Sequence, residues 1–350
     1  MIETLPASWY RDPHQYHRER QMIFGRHWLV AAHESQLPSP QGAMAVTVAG
    51  WSLLLVRDQD TIRGFHNVCR HRAAPLVWDG EAAACAQLRC RYHGWRYALD
   101  GRLTHTANFG EAFDPDEWGL HPIHVAVWRG MVFVNLSDSM APPPLEDALT
   151  GLREAAASLP LESMRAWKTA RHRLRADWKT YVENYLEGYH IAWMHPGLTR
   201  EISLRDYTVA VDGRAAVHRV PTKPGAISQG FWAWLWPNVA LNVYGDGMSI
   251  ERMNPLGPGE CEIVYTYLFP PGRPAQEMEE SIALSGAVTA EDVQICEAVQ
   301  RNLDAGVYDT GRLSPRHENG VAAFQRWVRS ALAATDQPDK AEQKRADAKA

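Results

Sequence analysis

Two short segments each combine one cysteine with one histidine, and both residue types are strong metal ligands. The first has the pattern C-x-H at 69–71 and the second the pattern C-x2-H at 90–93, with 18 residues between them. Two thiolates and two imidazoles suit either a zinc ion or an iron–sulfur centre. Because each segment supplies one ligand of each kind, the pattern favours a two-iron cluster, with both thiolates on one iron and both imidazoles on the other. A zinc ribbon is the alternative. The four candidate ligands are Cys69, His71, Cys90 and His93.

Small or rigid residues follow both segments, Ala73-Ala74-Pro75 after the first and Gly94-Trp95 after the second. They would let backbone N–H groups approach the bridging sulfides of a cluster. Cys85, Cys261 and Cys296 fall outside the pattern, and we interpret them as packing thiols.

A second candidate site begins with His190 and His195. They close an amphipathic stretch that predicts a helix over 177–193, in which Glu183, Glu187 and His190 form one polar stripe. Residues five apart lie about 140° apart on a straight helix, so the two histidines can share a metal only if the helix is distorted. Pro196 disfavours helical geometry at the residue before it and supplies such a distortion. The alternative is two surface histidines on a solvated face.

A later helix, predicted over 290–303, offers a carboxylate to this site. Asp292 lies on its apolar face, formed by positions 288, 295, 296, 299 and 303, whereas Glu291 lies on another face with Gln294 and Ala298. A carboxylate on a buried face must be paired or bound to a metal. The competing explanation for Asp292 is a capping box with Thr289 as the N-cap, and the two roles are compatible.

The composition excludes several classes of protein. The chain has 350 residues, of which 45% are hydrophobic and 22% charged, and a net charge of −5, which argues against nucleic-acid and membrane partners. The first residues lack the basic and apolar regions of a signal peptide, and no apolar run reaches the ~18 residues of a membrane span. Five cysteines are too few for a disulfide framework, so we expect a cytoplasmic protein.

The helices and strands expected to position these residues indicate an α+β protein with two main domains. An N-terminal helical arm is expected at 1–42, an all-β domain with a two-residue hairpin turn at Asp100-Gly101 over 43–140, an α+β domain with an antiparallel sheet over 141–335, and a disordered tail at 336–350. Helices are predicted over 145–159, 177–193 and 290–303, and strands over 45–48, 52–56, 61–68, 131–135, 206–211, 231–236, 239–244 and 261–269.

Taken together, these motifs resemble the catalytic α subunits of Rieske non-haem iron oxygenases, the ring-hydroxylating oxygenase family, over nearly the whole chain. The resemblance implies an all-β Rieske domain followed by a helix-grip catalytic domain. It assigns Cys69, His71, Cys90 and His93 to a Rieske [2Fe-2S] cluster, and His190, His195 and Asp292 to a mononuclear Fe(II). The pattern Asn184-x2-Glu187-x2-His190-x4-His195 matches the family's iron motif.

The resemblance also implies roles for two further residues and for partner proteins. Asn184 and Glu187 are expected to be catalytic. Glu187 corresponds to the acid, often Asp in relatives, that links a cluster histidine of one subunit to an iron-ligand histidine of its neighbour in a trimer. No Gly-rich dinucleotide motif is present, so a separate NAD(P)H-dependent reductase, acting directly or through a ferredoxin, should supply electrons. The contrasting reading is a Rieske electron-transfer protein without oxygenase activity.

The substrate is expected to be a small molecule that reacts with dioxygen. Segments at 297–303, 311–315 and 318–321 look most like the branch that contains choline monooxygenase and the glycine-betaine and stachydrine demethylases, which implies hydroxylation and loss of an N-methyl group. Trp232, Trp234 and Trp236 alternate along one strand, and with Tyr244 they could line a pocket for a quaternary ammonium. The same face could stack on an aromatic ring, with ring hydroxylation as the alternative reaction, or pack between sheet and helix.

Overall fold

Two antiparallel β-sheets of seven strands each form the framework of the chain, one in each half. The structure is a computed structural model that describes residues 2–110, 114–220, 230–244 and 247–333. The predicted tail at 336–350 lies outside these residues. Among the helices of the described ranges, none has the length and apolar character that crossing a membrane requires.

The N-terminal segment is helical over 13–24, and it joins the two halves. After strand β1 (Ile2–Glu3), helix α1 (Pro13–Glu19) continues as a π-helical turn over Arg20–Phe24. Glu19 accepts hydrogen bonds from the Trp178 indole and the Lys179 ammonium, both at 2.8 Å. All three side chains are buried, and breaking such a buried charge pair is strongly destabilising. The arm therefore fixes the start of the segment that carries the candidate iron ligands.

The sheet of the first half begins earlier than predicted, because residues 29–33 of the expected arm form one of its strands. The order in this sheet is β2-β11-β10-β5-β4-β3-β6, and β7 to β9 form a separate three-stranded sheet. The strands are β2 Leu29–His33, β3 Gln41–Val48, β4 Trp51–Asp58, β5 Thr61–His66, β6 Ala82–Ala84, β7 Leu88–Arg89, β8 Arg96–Tyr97, β9 Leu103–His105, β10 Pro122–Trp128 and β11 Met131–Asn135.

The hairpin between β8 and β9 has a longer loop than the predicted two residues. Residues 98–102 separate the strands, and the loop closes through a 2.9 Å hydrogen bond from the Ala98 N–H to the Arg102 carbonyl. Gly101 has φ +88°, so a glycine suits this position, as the Asp-Gly signal indicates. The location of the turn was right and its length was wrong.

The second half is the predicted antiparallel sheet covered by helices. The strand order is β12-β18-β17-β16-β15-β14-β13. Its elements are α2 Leu145–Ala148, α3 Leu152–Ala155, β12 Arg165–Leu174, α4 Trp178–Tyr185, α5 Ile191–Met194, α6 Pro196–Glu201, β13 Thr208–Asp212, β14 Ala215–Arg219, β15 Phe231–Leu235, β16 Val239–Tyr244, β17 Gly247–Gly257, β18 Glu260–Phe269, α7 Ala275–Asp304, β19 Arg312–Leu313 (paired with β1) and α8 Asn319–Ala333.

Three helices differ from their predicted bounds. The helix predicted over 145–159 is two short helices, broken at Gly151 with φ +83°. The helix predicted over 177–193 ends at Tyr185. The helix predicted over 290–303 begins fifteen residues earlier, at Ala275, so Thr289 is interior and donates to the Ser285 carbonyl at 3.0 Å. The capping-box explanation for Asp292 is therefore wrong.

Candidate metal centres

The two Cys/His segments form loops with the same backbone geometry. In each loop the cysteine N–H donates to the carbonyl of the fifth residue along, Ala74 or Trp95, at 2.8 Å. The cysteine carbonyl accepts from the N–H of the fourth residue, Ala73 or Gly94, at 3.0 Å. Those fourth residues have positive φ, +57° at Ala73 and +76° at Gly94, and glycine adopts this conformation without strain.

The four side chains of these loops converge. The Nδ1 atoms of His71 and His93 lie 3.2 Å apart, and the Trp95 ring stacks on His71 with 4.9 Å between centroids. Cys69 and Cys90 are buried beneath them. Burial raises the pKa of the Cys69 thiol, and the neighbouring Cys90 adds to the rise. Two buried sulfurs and two facing imidazole nitrogens are the donor set of a Rieske cluster, so these residues fit that group.

Tyr97 contributes to this site and was missed by the sequence reasoning. Its hydroxyl oxygen lies 3.3 Å from the Cys69 Sγ and accepts from the Arg70 N–H at 3.1 Å. Burial raises the pKa of Tyr97, so the phenol keeps its proton and can donate it to a deprotonated Cys69 sulfur. Tyr97 stands in strand β8, and nothing in its local sequence distinguishes it from a core tyrosine.

A break after helix α4 brings His190 and His195 together. The Asp177 side chain caps the start of α4, accepting from the Lys179 N–H at 3.0 Å. Beyond its end the chain turns at Gly188, where the Tyr207 ring leaves no space for a Cβ atom. His190 and His195 then cap the two ends of helix α5, and His195 has φ −118° and ψ 75°, outside the helical region that the following proline disfavours. The distortion predicted at Pro196 is present, and the break before His190 is an addition to it.

Three ligand atoms meet at this point. The Nε2 atoms of His190 and His195 are 3.2 Å apart, and Asp292 Oδ1 is 3.8 Å from the first and 3.0 Å from the second. One ligand atom from each of the three residues lies within 4.8 Å of the other two. Asp292 comes from α7, which packs against α4. Two imidazoles with one carboxylate are the donor set of a non-haem Fe(II) site, and the residues fit that ion.

Each histidine holds a carboxylate on the nitrogen that faces away from this point. Glu187 Oε1 lies 2.5 Å from His190 Nδ1, and Glu291 Oε2 lies 2.6 Å from His195 Nδ1. Such partners fix the tautomer and leave Nε2 free for a metal. Burial lowers the pKa of His195, but the hydrogen bonds to Asp292 and Glu291 outweigh it and raise that pKa. The sequence reasoning placed Glu291 on a separate face of its helix and missed this contact.

Asn184 and Glu187 both lie at the site, whereas Glu183 does not. Asn184 Nδ2 donates to Asp292 Oδ1 at 2.7 Å and so orients that carboxylate. Glu187 also accepts from the backbone N–H groups of Tyr189 and His190. Glu183 is buried against the N-terminal arm, accepting from the Tyr10 hydroxyl at 2.7 Å. The predicted stripe of Glu183, Glu187 and His190 is wrong because α4 ends at Tyr185.

Two of the three tryptophans assigned to a pocket are core residues. Trp234 is fully buried and stacks on Trp327 of helix α8, with centroids 5.9 Å apart and planes within 3°. Trp236 is buried against the Phe324 ring of the same helix. For Trp234 and Trp236 the sheet–helix packing alternative is therefore correct. Trp232 is half-buried and pairs across the sheet with Asn242, and Tyr244 ends the same neighbouring strand.

Comparison with known protein families gives the same division of the chain. Residues 27–114 match the Rieske [2Fe-2S] domain, and residues 161–334 match the ring hydroxylating alpha subunit (catalytic domain). The fold and its two donor sets define a two-centre iron oxygenase. The chain belongs to the family of Rieske non-haem iron oxygenase α subunits, an oxidoreductase family whose cofactors are a Rieske [2Fe-2S] cluster and a mononuclear iron.

Three proteins illustrate how similar the relatives are. Choline monooxygenase from Spinacia oleracea, a chloroplastic protein, is 31% identical over 345 residues, covering 94% of this chain and 78% of its own. The carnitine monooxygenase oxygenase subunit of Escherichia coli K12 is 30% identical, covering 92% and 91%. A solved quaternary ammonium Rieske monooxygenase, described with inter-subunit electron transfer, superposes with a TM-score of 0.85 at 26% identity, covering 95% and 96%.

Proposed function

We propose that this oxygenase hydroxylates a methyl group on the quaternary nitrogen of a betaine-like or choline-like small molecule. One oxygen atom of dioxygen enters a methyl C–H bond and the other leaves as water, with two electrons and two protons consumed. The N-hydroxymethyl product then breaks its C–N bond and releases formaldehyde and a tertiary amine, which is net N-demethylation. Where the oxidised carbon is not an N-methyl group, as in a choline alcohol, no formaldehyde forms.

The observation that supports this reaction most directly is the approach of three ligand atoms, from His190, His195 and Asp292, to within 4.8 Å of one another. We assign these residues as the iron ligands. A ferrous ion with this donor set keeps positions open for dioxygen beside the substrate. Asn184 orients Asp292, while Glu187 and Glu291 hold the two imidazoles with Nε2 toward the metal.

Support for the substrate class comes from the relatives. Choline and carnitine both carry a trimethylammonium group, and their monooxygenases align with this chain over more than nine-tenths of its length. We assign Cys69, His71, Cys90 and His93 as the ligands of the cluster that passes electrons to the iron.

The electrons come to this oxygenase subunit from a separate protein, and we propose that it is an NAD(P)H-dependent reductase acting directly or through a ferredoxin. We also propose a homotrimer in which electrons cross between subunits through Glu187. Three aromatic side chains support a subunit contact at both centres, because they are exposed beside the ligands. Tyr92, next to His93, is 57% exposed, and Tyr189 and Trp193, on either side of His190, are 55% and 84% exposed.

The substrate assignment is tested by a panel of compounds assayed with a surrogate reductase. Choline, glycine betaine, L-carnitine, stachydrine and a set of aromatic acids are compared for substrate-dependent oxygen uptake, formaldehyde and products identified by mass spectrometry. We expect uptake coupled to oxidation of one or more methylammonium compounds. Uptake coupled only to an aromatic acid would overturn the substrate class and leave the oxygenase in place.

The inter-subunit path is tested by mixing two inactive variants. Cys69→Ala lacks the cluster and Asp292→Ala lacks the iron, so each homotrimer should be inactive. Co-expression with two different tags and double purification gives mixed trimers, in which a cluster-bearing subunit contacts an iron-bearing one. We expect activity to return in the mixed trimers. Mixed trimers that stay inactive, although one variant holds its cluster and the other its mononuclear iron, would contradict the path.

A further inference from the structure

Glu251 is a buried acid at the centre of the catalytic sheet that the reaction described above leaves without a role. It stands in strand β17, the third of the seven strands in order, and is 2% exposed. Its Oε1 accepts from the Tyr265 hydroxyl at 2.7 Å, and its Oε2 accepts from the Asn242 amide at 3.1 Å. The Asn242 oxygen in turn accepts from the Tyr185 hydroxyl at 2.8 Å. Every hydrogen-bond donor to this carboxylate is therefore uncharged.

No cation accompanies Glu251 among the residues that the structure describes. The charged and titratable groups that face it are five tyrosines and one acid: Tyr265 and Tyr267 from β18, Tyr244 from β16, Tyr181 and Tyr185 from α4, and Asp292 from α7. Burial of an ionised carboxylate is costly unless a positive charge compensates for it.

Another buried acid of this chain shows the usual arrangement. Glu19 is as buried as Glu251, but the Lys179 ammonium lies 2.8 Å from its carboxylate. Asp177 shares the same ammonium at 2.7 Å. Among the described residues, Glu251 thus has hydrogen-bond donors but no neighbouring positive charge. A bound cation would compensate for its charge.

The surroundings of Glu251 connect directly to the iron-ligand helix. The Thr289 hydroxyl oxygen lies 2.9 Å from the Tyr265 oxygen, and Tyr265 donates to Glu251. Thr289 lies one helical turn before Asp292 and shares its buried face on α7. The repulsion between Asp292 and Glu251 raises the pKa of Glu251 further, after the larger effect of burial, so the two carboxylates feel each other's charge.

A quaternary ammonium is the cation that fits these surroundings. It has no N–H group, so it gains nothing from the neutral hydrogen-bonding atoms and instead needs negative charge and aromatic faces. The groups around Glu251 are aromatic rings that hydrogen-bond through their hydroxyls.

We propose that Glu251 is the negative charge that binds the quaternary nitrogen of the substrate and orients an N-methyl group toward His190, His195 and Asp292. This inference rests on the proposed substrate class. It makes Glu251 a determinant of specificity, because a neutral compound of the same shape leaves the buried carboxylate uncompensated. The tyrosines that donate to Glu251 hold its carboxylate in place.

The test compares two ligands that differ only in charge, glycine betaine and 3,3-dimethylbutanoate, together with choline and 3,3-dimethylbutan-1-ol. Binding to the iron-loaded enzyme is measured anaerobically by calorimetry. We expect the wild type to prefer the member of each pair that carries the quaternary nitrogen by about tenfold or more, and Glu251→Gln to reduce that preference to about twofold by weakening only that ligand. Glu183→Gln, the same change at a buried acid outside the site, should keep the wild-type preference.

A second measurement needs no variant. Burial raises the pKa of Glu251 to about 7, and the facing tyrosines have pKa values raised by burial, so they stay neutral near pH 7. A fixed positive charge lowers the pKa of Glu251, so binding of choline to the iron-free enzyme near pH 7 should release up to roughly half a proton per site. Calorimetry in buffers of different ionisation enthalpy measures this release, and the neutral 3,3-dimethylbutan-1-ol should show none.

The outcomes separate this inference from the proposed function. An unchanged charge preference in a folded Glu251→Gln variant, or no proton release in the wild type, overturns the role of Glu251 while methylammonium turnover leaves the proposed function standing. A wild type that neither prefers the ligands with a quaternary nitrogen nor oxidises any of them overturns both the role of Glu251 and the proposed function.

Discussion

Replacing Glu291 by Gln should weaken iron binding without disturbing the Rieske cluster. The change removes the charge of a carboxylate that lies 2.6 Å from His195 Nδ1 and keeps its size. Carboxylate partners of metal-bound histidines typically contribute 10- to 100-fold to metal affinity, which is about 1.4 to 2.7 kcal/mol. The Glu291 side chain is 40% exposed, so solvent screens part of its effect and we expect the lower end of that range.

The assay is anaerobic removal of the mononuclear iron by a graded series of chelator concentrations. The visible spectrum of the cluster in the same sample reports that the first domain is intact. Glu280→Gln provides a matched control, because Glu280 is an exposed acid on the same helix that accepts a 2.9 Å hydrogen bond from the neutral Gln276 amide. An iron affinity in Glu291→Gln equal to that of Glu280→Gln would refute the positioning role.

Three further predictions concern the other parts of the electron path and the core. Glu187→Gln, loaded with both metals before the assay, should slow single-turnover oxidation of the cluster by about tenfold, the equivalent of one charge-assisted hydrogen bond, and a wild-type rate in stopped-flow measurements would contradict this. Tyr97→Phe removes a hydroxyl 3.3 Å from Cys69 Sγ. The loss should lower the cluster's reduction potential by roughly 40 mV, which corresponds to about 1 kcal/mol. Voltammetry measures this shift, and an unchanged potential would exclude that hydrogen bond. Trp234→Ala should lower the free energy of unfolding in urea by about 3 to 5 kcal/mol, whereas the exposed Trp78→Ala should change it by less than about 0.5 kcal/mol, and equal effects would refute the packing role.

The ligand residues could be predicted from the sequence because they form local motifs. Cys69 and His71 stand two residues apart, and His190 and His195 stand five apart, so residue type and spacing are enough to single them out. The residues that support them could not be predicted in this way. Glu291 meets His195 across 96 positions of sequence, and Tyr97 meets Cys69 across 28. These contacts depend on tertiary structure, such as the packing of α7 against α4.

The sheet strands were predicted more accurately than the helices that cover them. Strand β16 over Val239–Tyr244 was placed to the residue, because an apolar run between turn residues carries a clear signal. Helix α8 was not predicted, although Val321, Phe324, Val328 and Leu332 form a buried helical stripe. That omission explains the error at Trp234, since alternation fixes which residues share a face of a strand but not which element covers that face.

The strand that carries Glu251 shows the same limit. Strand β17 spans Gly247–Gly257 and mixes charged residues with apolar ones, so its alternation is weak and no strand was predicted there. Arg252 of this strand points the other way and donates to the Ala31 carbonyl at 2.5 Å. Which of the two charges faces the helices follows only from the pairing of β17 with β16 and β18.

The most direct test of the two-centre assignment is metal and sulfide analysis of the wild type and Asp292→Ala. Two irons and two sulfides belong to a Rieske cluster and one iron to the second site, so the wild type should hold about three irons and two acid-labile sulfides per chain. Asp292→Ala should hold about two irons and two sulfides, keep the visible spectrum of the cluster, and show no oxygen uptake with any methylammonium compound. A variant that retained the third iron and wild-type turnover would contradict the assignment of His190, His195 and Asp292 as the oxygen-activating site.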